Sequence, residues 1–141
     1  MNALAMLTIA GKAEQGFGTD RELDCLVAAA IGWVGVPHGD EIIMWHDEHG
    51  MPRDDVPCFT GNIDHARSLL PWKPHPQATF SVRTIQTGSG DFSHFAEFTW
   101  PSTECQGRSF DQTRATLACA LRAVHRTHEE LAAIPNIARA R

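Results

Sequence analysis

Ala78-Thr79-Phe80-Ser81-Val82-Arg83-Thr84-Ile85-Gln86-Thr87, then Gly88-Ser89-Gly90-Asp91, then Phe92-Ser93-His94-Phe95-Ala96-Glu97-Phe98-Thr99-Trp100 is the stretch that decides the fold. In its second half Phe92, His94, Ala96, Phe98 and Trp100 alternate with Ser93, Phe95, Glu97 and Thr99. Period two with one mostly apolar face is the mark of a half-buried strand. Gly88 to Asp91 predicts the turn of a hairpin. Phe80, Val82, Phe98 and Trp100 must then be covered, and helices elsewhere in the chain are the available cover.

Downstream, Ser109-Phe110-Asp111-Gln112 reads as a Ser-x-x-Gln capping box. Leu117, Leu121, Val124, His128 and Leu131 follow at spacings of four and three. They predict an amphipathic helix of about five turns, ended by Pro135. His128 on that stripe, like His94 in the hairpin, reads as a core histidine bonded to a backbone carbonyl. Upstream, Asn62 predicts the cap of a helix over Ile63 to Leu70, stopped by Pro71. Ile42 to His46 reads as a short strand, and Gly35 to Asp40 as a turn-rich connection. Thr19-Asp20-Arg21-Glu22 is a capping box with Thr19 as the cap. It opens a helix whose Leu23, Leu26, Val27, Ala30 and Ile31 share a stripe, ended at Gly32. Residues 3 to 15 suggest a frayed helix broken by Gly16 and Gly18. The expectation is an α+β fold in one domain, 1–141, with frayed termini about 1–12 and 135–141. Its sheet is small and mainly antiparallel, hairpin 78–100 plus strand 41–46, packed with helices in an α/β/α sandwich-like manner.

With 141 residues, 43% hydrophobic and 21% charged, the chain is long and apolar enough for a core of its own. No apolar run reaches the ~18 residues of a membrane span. The net charge of −5 argues against a nucleic-acid partner, which calls for a basic footprint. Bases collect in the last third, at Arg108, Arg114, Arg122, Arg126, Arg139 and Arg141, and read as a solvated helix face plus a tail. Cys25, Cys58, Cys105 and Cys119 form no CxxC pair. The opening MNALAMLTIAGKAEQGFG has neither the basic n-region nor the cleavage site of an export signal. Together these lead us to expect a reducing cytoplasm.

Four stretches carry a family resemblance. They are Gly18-Thr19-Asp20-Arg21-Glu22-Leu23-Asp24 with Ile31-Gly32-Trp33; Pro57-Cys58-Phe59-Thr60-Gly61-Asn62-Ile63-Asp64-His65-Ala66; Ser68-Leu69-Leu70-Pro71; and Thr116-Leu117-Ala118-Cys119-Ala120-Leu121-Arg122-Ala123. On these the chain resembles the phage ABA sandwich domain proteins, over roughly residues 12 to 126. A fainter similarity is to the NinX-type phage proteins. His65 stands where a small residue is more usual, and the Asp47–Asp55 loop has no counterpart. The resemblance implies a sheet flanked by helices, a phage or prophage origin and the bacterial cytoplasm. It implies no reaction, cofactor or catalytic residue.

The chemistry-bearing residues point the same way. His46, Asp47 and His49, with Glu48, Asp54 and Asp55 near, are the best metal-ligand candidates. The same residues also read as a polar hairpin tip in water, and no HExxH or second ligand pair accompanies them. Cys58 precedes a helix N-terminus, where a thiol can be activated, or it is a packed loop cysteine. No GxSxG nucleophile elbow occurs, and Gly88-Ser89-Gly90 is too short for a phosphate loop. Arg21 among Asp20, Glu22 and Asp24 is a recognition patch or a first-turn charge arrangement. Trp33 and Trp72 are aromatic anchors for a partner or ordinary core residues. We expect a non-catalytic protein-interaction module, without cofactor, whose partner is a host or phage protein. A homodimer would cover an open edge strand. The alternative is a metal-binding protein or metal-dependent enzyme built on His46 and His49.

Overall fold

The protein is described by a computed structural model over residues 2–101 and 103–134. Among the described residues, four helices and two antiparallel three-stranded sheets make an α+β fold. In chain order the elements are α1 (Ala3–Gln15), α2 (Arg21–Ala30), β1 (Val34–His38), β2 (Glu41–His46), β3 (Pro52–Arg53), α3 (Ile63–Arg67), β4 (Thr79–Gln86), β5 (Phe92–Trp100), β6 (Thr103–Ser109) and α4 (Gln112–Ala132). One sheet has the order β1-β2-β3 and the other β4-β5-β6. The short strand expected at 41–46 therefore belongs to a different sheet from the hairpin. Gly35 to Asp40, expected as a turn, supplies β1, with a register shift between Val36 and Pro37. That irregularity lets an edge strand hold a proline, which has no N–H to give a ladder.

The expected hairpin forms, with Phe80 opposite Phe98 and Val82 opposite Ala96. Phe98, Ala96 and Trp100 are buried against α4. Their alternates Ser93, Phe95, Glu97 and Thr99 take the other face, where the Arg83 and Arg108 guanidinium groups lie 5.6 and 5.9 Å from the Phe95 ring centre. Strand β6 completes the sheet, with Cys105, Gly107 and Ser109 facing inward. None of the three fills much space, because α4 occupies it: a Cβ at Gly107 would overlap the Ala115 carbonyl oxygen and lie 2.5 Å from Cys119 N.

Helix α4 divides the core. Ala115, Cys119, Ala120 and Ala123 join the sheet, Leu70 and Phe98 in one apolar cluster. Leu117, Ala118 and Leu121 join α1, α2, Trp45 and Phe59 in another. The layers thus run sheet, α4, then the remaining helices. The segment expected to fray at 1–12 is, over its described residues, helical, with Met6, Ile9, Ala10 and Ala13 buried. Residues 135–141 lie outside the description. At the far end of the stripe His128 is half-buried and Leu131 exposed, so burial fades before the helix ends.

Two caps differ from expectation. Asp20, not Thr19, caps α2, accepting from Leu23 N. Its own N–H donates to the Thr60 hydroxyl at 2.8 Å. Likewise Asp111, not Ser109, caps α4, accepting from Thr113 N and Arg114 N. Ser109 instead accepts the Asp111 N–H. A carboxylate closer to the helix displaces a hydroxyl in both cases, by one position at α2 and by two at α4. Asn62 caps α3 as expected.

The outer edge of β6 is closed by an ion pair. Glu14 accepts the Arg108 N–H at 2.8 Å and pairs with Arg122 at 2.7 Å, while Arg122 donates to Gln106 O at 3.0 Å. An edge strand so covered cannot template another chain; β4, at the other edge, has no such cover among the described residues. Burial alone would raise the Glu14 carboxyl, but hydrogen bonds from Arg122 and the Arg108 N–H outweigh it and hold it below the ordinary glutamate range. Since the folded value is the lower, this stability is present above the unfolded glutamate pKa and fades as pH falls through the folded one. Glu14→Gln is expected to cost about 1 to 2 kcal/mol near neutrality. Urea denaturation should show that difference shrinking as pH falls below the ordinary glutamate range.

Candidate functional site

Two adjoining concavities share the loop between α1 and α2. Gly16 ends α1, and the Arg114 guanidinium packs directly on it: a Cβ there would overlap Nη1 and lie 2.6 Å from Cζ. Gly18 takes φ +73, a conformation glycine adopts at little cost. Its N–H donates to Asp111 Oδ2 at 2.7 Å and its carbonyl accepts from Arg114 Nε at 2.9 Å. With both flanks clamped to the start of α4, Phe17 has nowhere to fold back and stands 77% exposed.

On one side of Phe17 lies an open cleft of about 750 Å³, whose lining includes Lys12, Asp20, Glu22, Leu26 and Arg114. On the other is a groove of about 500 Å³ formed by Phe17, Asp91, Phe92, His94 and Phe110. Phe92 is 55% and Phe110 58% exposed. His94, expected in the core, is half-buried here, its Nδ1 3.0 Å from the Thr84 hydroxyl. The hairpin runs past the end of α4, so its tip residues have no helix over them.

Arg114 is where expectation and structure differ most. Read as part of a solvated face, it is only 3% exposed. Asp24, read as a first-turn charge, is fully buried; its Oδ1 accepts Thr60 N at 2.8 Å and its Oδ2 pairs with Arg21 at 2.8 Å. Arg21 also reaches Asp55 at 2.8 Å and the Val56 carbonyl at 2.8 Å. It thereby ties the 55–57 loop to α2.

Asp47 has both oxygens engaged: Oδ1 accepts His49 N and Met51 N, and Oδ2 pairs with Arg53 at 3.1 Å. The Met51 N–H first, then Arg53 and the His49 N–H, hold its carboxyl below the ordinary aspartate range against the opposing effect of burial. It organises the turn after β2. His46 is half-buried opposite Val34, and His49 is exposed beside Glu48. Among the described residues no three His, Cys, Asp or Glu side chains converge as a metal site would require. The metal candidates are thus close in sequence without pointing to a common centre.

Trp33 is half-buried with its indole N–H on Glu48. Trp72, 38% exposed, meets Phe98 edge-on at 5.0 Å. His75, which the sequence did not single out, stacks on Trp100 at 4.1 Å and bonds the Thr127 hydroxyl. Cys58 is half-buried, its N–H donating to His65 Nδ1 at 3.0 Å. Burial pushes the Cys119 thiol up to about 12, so it packs as an unreactive apolar group. Phe17 and Phe110 escaped the sequence reading. The signal for the first was present, an aromatic residue isolated between two glycines. No helix of the described residues is long and apolar enough to cross a membrane. Compared with protein-family models, with curated proteins and with solved structures, the chain matches none of them.

Proposed function

We propose that this chain is a non-catalytic protein-interaction module, a small phage- or prophage-encoded accessory protein that works in the bacterial cytoplasm by binding a host or phage protein. The observation that carries the reading is the gathering of Phe17, Phe92 and Phe110, each more than half exposed, around one groove. Isolated exposed apolar residues are ordinary, but a contiguous patch marks an interaction surface. Rigid aromatic rings in a concave site are the usual anchors of such contacts. Asp91 and His94 at the groove add polar groups that would orient a partner. The resemblance of the four motif stretches supports the phage origin, and the open β4 edge is the place where a second copy would pair in a homodimer.

The test is a cross-linked pull-down from bacterial lysate with the wild type and with Phe17→Ser/Phe92→Ser/Phe110→Ser, whose fold is checked by circular dichroism. A protein held by the wild type and lost by the variant is expected. Each anchor should contribute about 2 kcal/mol or more, roughly thirtyfold in affinity. Equal capture by both, or capture by neither, would overturn the proposal.

A further inference from the structure

We infer that the cleft at Arg114 binds a carboxylate with an apolar body, the carboxylate on the Arg114 guanidinium and the body against Phe17, Leu23 and Leu26. This site needs no protein partner at the neighbouring groove.

Arg114 is 3% exposed, and among the described residues no carboxylate pairs with its guanidinium. A buried charge is costly unless paired. Its bond to the Gly18 carbonyl uses Nε alone. Clamping the loop therefore accounts for one donor and leaves Nη1 and Nη2 without an acceptor among the described residues. Every fully buried side-chain nitrogen or oxygen among the described residues has a partner. The two Nη atoms must therefore be reachable from outside, and Arg114 lines the cleft. Two parallel N–H donors on a planar group fit the two oxygens of a carboxylate.

The rest of the lining selects among anions. Lys12 adds a second cation. Asp20 and Glu22 share the same lining and would repel a phosphate, which carries between one and two negative charges. A single carboxylate is better matched. Phe17, Leu23 and Leu26 supply an apolar wall. The cleft's 750 Å³ lies within the roughly 300–1,000 Å³ of ordinary small-ligand sites.

Amide NMR titration of the full chain tests this. The probes are hexanoate, hexanol, inorganic phosphate, and N-acetyl-leucyl-phenylalanine as its free acid and as its amide. Saturable shifts at residues 16–18, 23–26 and 114 are expected with hexanoate and with the peptide acid. The other three should bind at least about tenfold more weakly, the loss of a charge-assisted pair. Tighter binding of hexanoate would assign a free apolar acid as ligand, and tighter binding of the peptide acid a chain terminus; either supports the carboxylate site. Arg114→Gln should abolish the shifts. Leu26→Glu, at an exposed helix position, should weaken them about tenfold through lost apolar contact and charge repulsion. Should Arg114→Gln not fold, Leu26→Glu decides the matter. The inference is overturned by no saturable shift, by hexanol or phosphate binding as tightly as hexanoate, or by Leu26→Glu binding like the wild type.

Discussion

Gly107→Ala is expected to destabilise the protein by about 3 kcal/mol, the upper end of what overpacking costs in a close-packed interior. The added methyl would meet the Ala115 carbonyl oxygen and Cys119 N, both main-chain atoms of α4. A side chain in the way could rotate aside; a helix backbone cannot. Relief requires α4 to move off β6, which would stretch the Arg122–Gln106 bond of 3.0 Å and open the cluster of Cys105, Ala115 and Cys119. Urea denaturation would show an earlier midpoint, and a thermal scan a fall of roughly 10 °C. Gly88→Ala is the control: no atom lies within 4 Å of a Cβ there, so a change within about 0.5 kcal/mol is expected. Equal stability of the two variants would mean that α4 does not sit this close to β6.

Asp24→Ala should be comparably severe, at about 3 kcal/mol. Its carboxylate is fully buried and serves three elements at once. It accepts the Thr60 N–H, holds Arg21, and through Arg21 fixes Val56 and Asp55. Removing it leaves a buried N–H without an acceptor and a guanidinium without its buried partner. Asp24→Asn keeps an oxygen for Thr60 and should cost about half as much, the charge-assisted part alone. A double-mutant cycle with Arg21→Ala checks the coupling. Both residues act through one bond network, so the double variant should lose clearly less than the sum of the singles. Additive losses would show that Arg21 and Asp24 act separately.

Where local pattern and tertiary need coincide, the sequence could be read directly. The hairpin is the clearest case: Ala96, Phe98 and Trp100 alternate because one face of β5 is covered. Leu23 and Val27 on α2, and Leu117 and Leu121 on α4, sit at helical spacing for the same reason. Strand β6 was not legible. Its inward residues are Cys105, Gly107 and Ser109, small because α4 already fills the space, so no apolar alternation marks it. Strand β1 was hidden by Gly35 and Pro37, which ordinarily signal a turn and are extended here because β2 pairs with them.

The site was the least legible part. Arg114 is set against Gly18, 96 residues away, and Asp24 against Thr60, 36 residues away. In the sequence each looks like a surface charge on a helix. What the sequence alone determined is the α+β class, the hairpin, the helical stripes and the Asn62 cap, because each arises from interactions among neighbours a few positions apart. What the tertiary structure decided is the split into two sheets, the central place of α4, the burial of Arg114 and Asp24, and the exposure of Phe17 and Phe110. These depend on which distant segments meet, and composition and spacing carry no record of that.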